Sequence, residues 1–390
     1  MITLLSDNII SSLGFSTEEN FQKMKQRISG LAYYEGYFDL PEPFMASMID
    51  DQKLDDAFCP LSKRSRSEMN YTKLEKAAIL SVSEALKNTT INPAKSNVLF
   101  ILSTTKGNVF LLDPPKEAYY NRDRKYLWRS AALIAEFFGN HTPPMIVSNA
   151  CISGAYAMIS AQRALLSRKF KYVIVVGVDM LSRFIISGFQ SFKALSQSAC
   201  KPFDENRNGL NIGEAAATLI VANREDADLQ SSEVILTAGA IRNDANHISG
   251  PSRTGEGAFL ALRNVCAGID TNELAFINAH GTATPYNDEM EAVAITRASL
   301  QHIPVTCQKG YIGHTLGAAG VVESIISARS LKERTVLKTH GFKTLGVSNQ
   351  LRIVNQTQAI NGARCINMLS GFGGGNAALL YTLINGNYED

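Results

Sequence analysis

The 390-residue chain has no C-x-x-C and no compact cysteine spacing; Cys59, Cys151, Cys200, Cys266, Cys307 and Cys365 are scattered along it. That argues against a disulfide framework and fits a reduced, intracellular protein. No uninterrupted apolar run reaches the roughly 18 residues a membrane span needs. The start, M-I-T-L-L-S-D-N-I-I, has neither the basic region nor the long apolar core of a secretory signal. A cytoplasmic protein without a membrane span is therefore expected. Charge is also scarce: 19% of residues are charged, with a net charge of +2. This argues against a nucleic-acid binder that relies on bulk charge, although a local basic patch stays open. What is abundant is apolar: 45% hydrophobic residues suffice for a large core and a buried subunit surface.

The most informative stretch runs from Val147 to Lys169, V-S-N-A-C-I-S-G-A-Y-A-M-I-S-A-Q-R-A-L-L-S-R-K. A short apolar approach (Met145, Ile146, Val147) ends in small polar residues, after which Ala, Met, Ile and Leu recur at helical spacing. Cys151 is thus expected where a strand turns into a helix. Unpartnered N–H groups and the helix dipole favour an anion there, so the thiol is expected to lose its proton more easily. The alternative is a small buried hydrophobe, the usual state of an unpaired cysteine.

The two halves of the chain repeat one plan. In the first, residues 2–5 read as a strand, 16–24 as a helix, 67–86 as a longer helix, and Asn97–Leu102 as a buried strand ending in Ser103-Thr104-Thr105. The strand and helix around Cys151 and a strand at Tyr172–Val178 follow. In the second, Leu274–Asn278 ends in Ala279-His280-Gly281-Thr282, and Gly310–Leu331 is again an apolar approach, small residues and a helix. Ile326-Ser327-Ala328 echoes Ile159-Ser160-Ala161, and Ala377–Leu383 follows S-G-F-G-G-G-N as the Ala-rich strand ending at Val221 follows K-P-F-D-E-N-R-N-G. The expected fold is α/β, with two pseudo-repeated halves (residues 1–225 and 226–390) of mixed, mostly parallel sheet covered by helices. Sites in such sheets lie beyond the carboxyl ends of the strands. A pseudo-twofold then brings Cys151 together with His280, Lys309 and His314.

Four segments in order, N-A-C151-I-S-G, N-A-H280-G-T-A-T-P, K309-G-Y-I-G-H314-T-L-G-A-A-G and S-G-F372-G-G-G-N, resemble the β-ketoacyl-acyl carrier protein synthases, condensing enzymes of the thiolase superfamily. Lys201–Glu214 and Asp244–Pro251 add to the likeness, which covers nearly the whole chain. The resemblance implies a thiolase-like αβαβα layering. It makes Cys151 the nucleophile that carries an acyl group, and His280 and His314 the donors that stabilise the enolate formed when a malonyl thioester loses CO2. Lys309 matches the family's site lysine and Glu323 its buried carboxylate partner. The N–H groups of Phe372 and Cys151 match the oxyanion hole, with the Phe372 ring gating the acyl channel. Thr282 and Thr284 match threonines that bond the pantetheine arm. No cofactor is implied beyond the phosphopantetheine of the carrier, and zinc is disfavoured because local ligand pairs are lacking.

By the same resemblance the partners are an acidic acyl carrier protein, docking on a basic patch drawn from Lys63, Arg64, Arg66, Arg122, Arg124 and Lys125, and a second copy pairing through Tyr172–Val178. The sequence departs from the family pattern in three places: the glycine-poor start (Leu4–Gly14), G-E-A-A-A at Gly213–Ala217, and Tyr286-Asn287 after H-G-T-A-T-P. These point to a specialised synthase, polyketide-like or aryl-polyene, rather than a housekeeping elongator. A coenzyme A-dependent thiolase or an initiating synthase fits less well, since the former uses a second catalytic Cys and the latter replaces the second His by Asn. A non-catalytic chain-length subunit would lack Cys151.

Overall fold

The computed structural model describes residues 1–62, 70–112, 119–225, 229–230 and 232–384. The first half contains β1 (Ile2–Ser11), α1 (Thr17–Lys25), β2 (Ala32–Tyr34), β3 (Phe44–Ser47), α2 (Asp51–Ser62), α3 (Lys73–Leu86) and β4 (Val98–Ser103). It continues with α4 (Leu127–Phe137), β5 (Met145–Val147), α5 (Ser153–Leu166), β6 (Tyr172–Asp179), α6 (Arg183–Ser191), β7 (Ile212–Gly213) and β8 (Ala215–Asn223). The second half begins with β9 (Val234–Asn243), α7 (Glu256–Val265), β10 (Leu274–Asn278), α8 (Pro285–Arg297), β11 (Pro304–Thr306) and α9 (Lys309–Ile312). It ends with α10 (Ala319–Lys332), β12 (Thr335–Val336), β13 (Arg352–Ile353), β14 (Gln358–Ala359), β15 (Arg364–Gly371) and β16 (Gly375–Leu383).

Local chemistry sets the helix starts. Ser16 caps α1 by accepting the Glu19 N–H. A reciprocal capping box between Thr72 and Glu75 starts α3 at Lys73, later than hydrophobic spacing places it, because two otherwise orphaned N–H groups are satisfied there. α8 begins on Pro285, whose fixed φ suits the first turn.

Among the described residues, eleven strands form one sheet. Taken outward from its middle, the first half runs β1-β8-β6-β4-β5 and the second β9-β16-β15-β10-β11. In both, the successive pairings are antiparallel, antiparallel, parallel, parallel. Within each half only β8 or β16 runs against the rest. β1 and β9 join the halves, and β13 extends the second. The duplicated plan legible in the sequence is therefore a duplicated strand order. β6 has β8 on one side and β4 on the other, so the expectation that Tyr172–Val178 is a free edge is corrected. The edge strand of the first half is β5, where Met145 is exposed.

α5 and α10 pack together between the two halves of the sheet, each touching strands of both. A Cβ on Gly154 would lie 2.7 Å from the Gly320 Cα, so glycine at both positions is what lets the two backbones meet. α3 covers β8 and β1 on one outer face, and α7 covers β9 and β16 on the other. The result is the αβαβα layering. Three of the buried clusters fill its spaces: one around α5 and α10, one under α7 and α8, and one under α3.

Candidate active site

The carboxyl ends of corresponding strands converge on one cavity of about 480 Å³. β5 leads through Ser148 and Asn149 to Cys151. The turn is tight: Ala150 has φ +44°, a left-handed conformation costly for a residue with a Cβ. Ser153 holds it closed, its hydroxyl accepting the Asn149 N–H at 2.7 Å and donating to the Ala150 carbonyl at 2.6 Å. β10 leads to His280, and β11 leads through α9 to His314. The backbone of His314 is clamped by the opposite half, its N–H donating to the Asn211 carbonyl at 2.7 Å and its carbonyl accepting the Gly213 N–H at 3.0 Å. That clamp is what the N-I-G-E segment of Lys201–Glu214 contributes. The Glu214 carboxylate anchors the segment by accepting the Ile49 and Leu181 N–H groups, each at 2.9 Å.

Cys151, His280 and His314 are all buried, with one side-chain ligand atom of each within 4.8 Å of the others. The imidazole centroids are 5.0 Å apart, with planes at 88°. Burial, and then the Lys309 charge, holds both imidazoles well below the usual histidine range; His314 adds to this at His280, and Lys106 at His314. Both rings are therefore neutral near pH 7. At His314 the Leu316 N–H points at Nδ1 from 3.3 Å, so Nδ1 supplies a lone pair and the ring proton sits on Nε2. Nε2 has no partner, nor does Nδ1 of His280. A buried, protonated Nε2 is a hydrogen-bond donor and not a metal lone pair, and the nearby Lys309 ammonium opposes a cation. The trio fits an oxyanion better than a metal.

Lys309 and Glu323 form a buried ion pair at 2.6 Å. Burial alone would discharge the lysine, but the Glu323 carboxylate raises its pKa and keeps the ammonium. Burial pushes the Cys151 thiol up to about 11, against the pull of Lys106, Lys309 and the Phe372 N–H. The lowered thiol expected from its place ahead of a helix is therefore corrected: desolvation by burial outweighs the favourable charges. Phe372 is half-buried, 5.9 Å from the Phe189 ring and 5.6 Å from that of Phe192. Gly373 and Gly374 after it both have positive φ, +85° and +78°, a turn that favours glycine. Thr282 and Thr284 line the cavity with their hydroxyl oxygens 2.8 Å apart.

Sequence reasoning missed two contributors. Glu291 on α8 accepts the N–H groups of His280 and Gly281, each at 2.7 Å. Burial beside Asp288 pushes it up to about 8. The i, i+3 spacing of Asp288 and Glu291 on a helix following the His280 turn was the available signal. Lys106, following β4, bears on both Cys151 and His314.

Of the six residues of the expected basic patch, Arg122, Arg124 and Lys125 are described. Lys63, Arg64 and Arg66 lie outside the described residues. Arg122 is exposed and Lys125 half-buried. Arg124 is corrected: it is buried, ion-paired with Glu75, and donates to the Asn70 carbonyl at 3.2 Å. A guanidinium so desolvated packs the interior and is not presented to a partner.

The beta-ketoacyl synthase N-terminal domain matches residues 17–227, and the corresponding C-terminal domain matches residues 233–343. The 3-oxoacyl-[acyl-carrier-protein] synthase 2 of Staphylococcus aureus (strain COL) is 32% identical over 246 residues, 60% of this chain and 59% of that protein. The match thus spans about three fifths of that relative's length. Among solved structures, a ketosynthase in complex with its chain length factor from Xenorhabdus doucetiae superposes with a TM-score of 0.84 at 23% identity, covering 98% of both chains. The ishigamide ketosynthase/chain length factor gives 0.85 at 22% identity, covering 98% of this chain and 99% of that one. At such identities these two speak to the fold, which is thiolase-like. With its domain matches taking in more than half of its residues, the chain belongs to the beta-ketoacyl synthase family.

Proposed function

We propose that the protein is an acyltransferase that performs a decarboxylative Claisen condensation. The Cys151 thiol attacks an acyl thioester, releases the donor's thiol and holds the acyl group as a new thioester. A malonyl group carried on an acyl carrier protein then loses CO2, and the electron pair left behind forms an enolate. The enolate carbon attacks the acyl carbonyl on Cys151, a carbon–carbon bond forms, and the Cys151 sulfur leaves, giving 3-oxoacyl-acyl carrier protein. His280 and His314 donate to the enolate oxygen. The Phe372 and Cys151 N–H groups hold the tetrahedral oxyanion, the Phe372 ring gates the acyl channel, and Thr282 and Thr284 bond the pantetheine arm. The observation that carries this reading is the convergence of a buried thiol with two neutral imidazoles within 4.8 Å, one with its free proton on Nε2. Donors fixed before the reaction, where charge will develop, are the largest single aid to such a step.

Decarboxylation needs the enolate stabilised but needs no sulfur nucleophile. Cys151→Ala is thus expected to abolish acyl-enzyme formation and condensation while still releasing labelled CO2 from malonyl-acyl carrier protein. His280→Ala and His314→Ala are each expected to lower CO2 release by about 100-fold or more. Normal decarboxylation by the histidine variants, or condensation by Cys151→Ala, would overturn the assignment.

The departures at Leu4–Gly14, Gly213–Ala217 and Tyr286-Asn287 favour a specialised polyketide-like or aryl-polyene pathway. The likeness to ketosynthases solved with a chain length factor favours it too. A homodimer through the exposed edge of β5 is the matching assembly, since an unpaired strand edge invites its symmetric copy. Light scattering at micromolar concentration should give twice the chain mass; a monomer would exclude it.

A further inference from the structure

Asp179, the last residue of β6, is buried and lies outside every role assigned above. Its carboxylate is nonetheless fully engaged. Oδ1 accepts the Thr104 hydroxyl at 2.7 Å. Oδ2 accepts the Thr105 N–H at 2.9 Å, the Thr105 hydroxyl at 2.8 Å and the Gly317 N–H at 2.7 Å. The first three partners follow β4, beside the strand that leads to Cys151; the fourth belongs to the turn after His314, in the other half of the molecule. Ser103 closes the same junction, its hydroxyl donating to the Gly317 carbonyl at 2.6 Å. A Cβ on Gly317 would lie 2.7 Å from the Thr104 Cα and 2.8 Å from Asp179 Oδ2. No larger residue fits there without moving the turn.

The residue before Gly317 is Leu316, whose N–H faces His314 Nδ1 and whose φ of +52° is unfavourable for a branched side chain. Such a conformation persists only where neighbours over-determine it. We infer that Asp179 is a positioning residue: by fixing Gly317 it holds Leu316 in the strained turn that occupies His314 Nδ1, and so keeps the His314 proton on Nε2, facing the cavity. A charged carboxylate suits the task because it accepts from four donors at once, and charge-assisted bonds of this kind are short and strong. Without it, Thr104, Thr105 and Gly317 would leave buried donors unmet, and the turn would be free to relax its positive φ. His314 would then divide between its two tautomers. The functional consequence rests on the reaction proposed above; the tautomer itself does not.

Two variants test the inference, Asp179→Asn and Gly317→Ala, the second reaching the same turn without changing a charge. The first readout is the nitrogen chemical shifts of His314 in ¹⁵N-histidine-labelled protein, assigned with His314→Ala. The second is labelled CO2 release from malonyl-acyl carrier protein, with thermal unfolding confirming that each variant is folded. Parent protein should show the Nε2-protonated tautomer alone. Both variants should show a mixture, and CO2 release should fall by about 10–100-fold, as when an outer hydrogen-bond partner of a reactive imidazole is lost. A folded variant pair with His314 still wholly Nε2-protonated overturns the inference, whatever its activity. A mixed tautomer with undiminished CO2 release upholds the positioning role and overturns instead the role proposed for His314.

Discussion

The two halves share a strand order and a pairing sense, yet they deliver different chemistry from matching places. The strand third from the junction, β6 in one half and β15 in the other, ends in Asp179 or in the Gly371-Phe372 turn. The next strand outward ends in Thr104–Lys106 or in His280. The outermost of the five ends in Cys151 or, through α9, in Lys309 and His314. The first half therefore supplies the buried thiol, and the second supplies two neutral imidazoles and a buried cation. The paired central helices differ in the same way. The buried face of α5 is made of Ser153, Gly154, small residues and aliphatics, whereas that of α10 includes Glu323, partner of Lys309. Duplication provides a symmetric scaffold on which loops meet, and the proposed reaction requires that the loops not be alike.

The contrast between the central helices can be broken most severely at the ion pair. Lys309→Met should cost about 3–5 kcal/mol in chemical denaturation, because Glu323 is left buried and uncompensated; Lys309→Met with Glu323→Leu should recover most of that loss. A loss below 1 kcal/mol for the single variant would mean that water reaches the pair. Where the helices are alike, the effect should be smaller and symmetric. Gly154→Ala and Gly320→Ala should each cost about 1–3 kcal/mol, since each methyl meets the other backbone. Two variants with unfolding midpoints at the parental value would show that the helices can part.

The third test concerns the Cys151 thiol. With the thiol near 11, its thiolate fraction rises about tenfold per pH unit through neutrality. Alkylation of Cys151 in the substrate-free protein should thus be slow at pH 7 and climb about tenfold per unit to pH 9, read by peptide mapping. A plateau already at pH 7 would mean that the charges of Lys106 and Lys309 overcome burial.

The strands β1, β4, β5, β6, β8, β10 and β16 and the positions of Cys151, His280, His314, Lys309 and Glu323 were legible because strand ends and helix starts carry local signals: apolar runs, small residues and glycine turns. α2, α4, α6, α7 and α8 were not read, since their buried faces are completed by neighbours distant in sequence. Glu291 and Asp179 went unnoticed for a related reason. Each serves backbone N–H groups; the i, i+3 spacing of Asp288 and Glu291 was the one signal for the former, and Asp179 carries none beyond an acidic residue at a strand end.

By itself, then, the sequence determined the duplicated plan, the family resemblance and which side chains, Cys151, His280 and His314, meet in one cavity, all of which depend on short-range pattern. Only the tertiary structure decided their electrical state. Burial raised the Cys151 thiol, kept both imidazoles neutral, turned Arg124 inward, and placed β6 in mid-sheet with β5 at the edge. Solvation and long-range charge depend on which surfaces meet, and residues hundreds of positions apart meet only once the chain has folded.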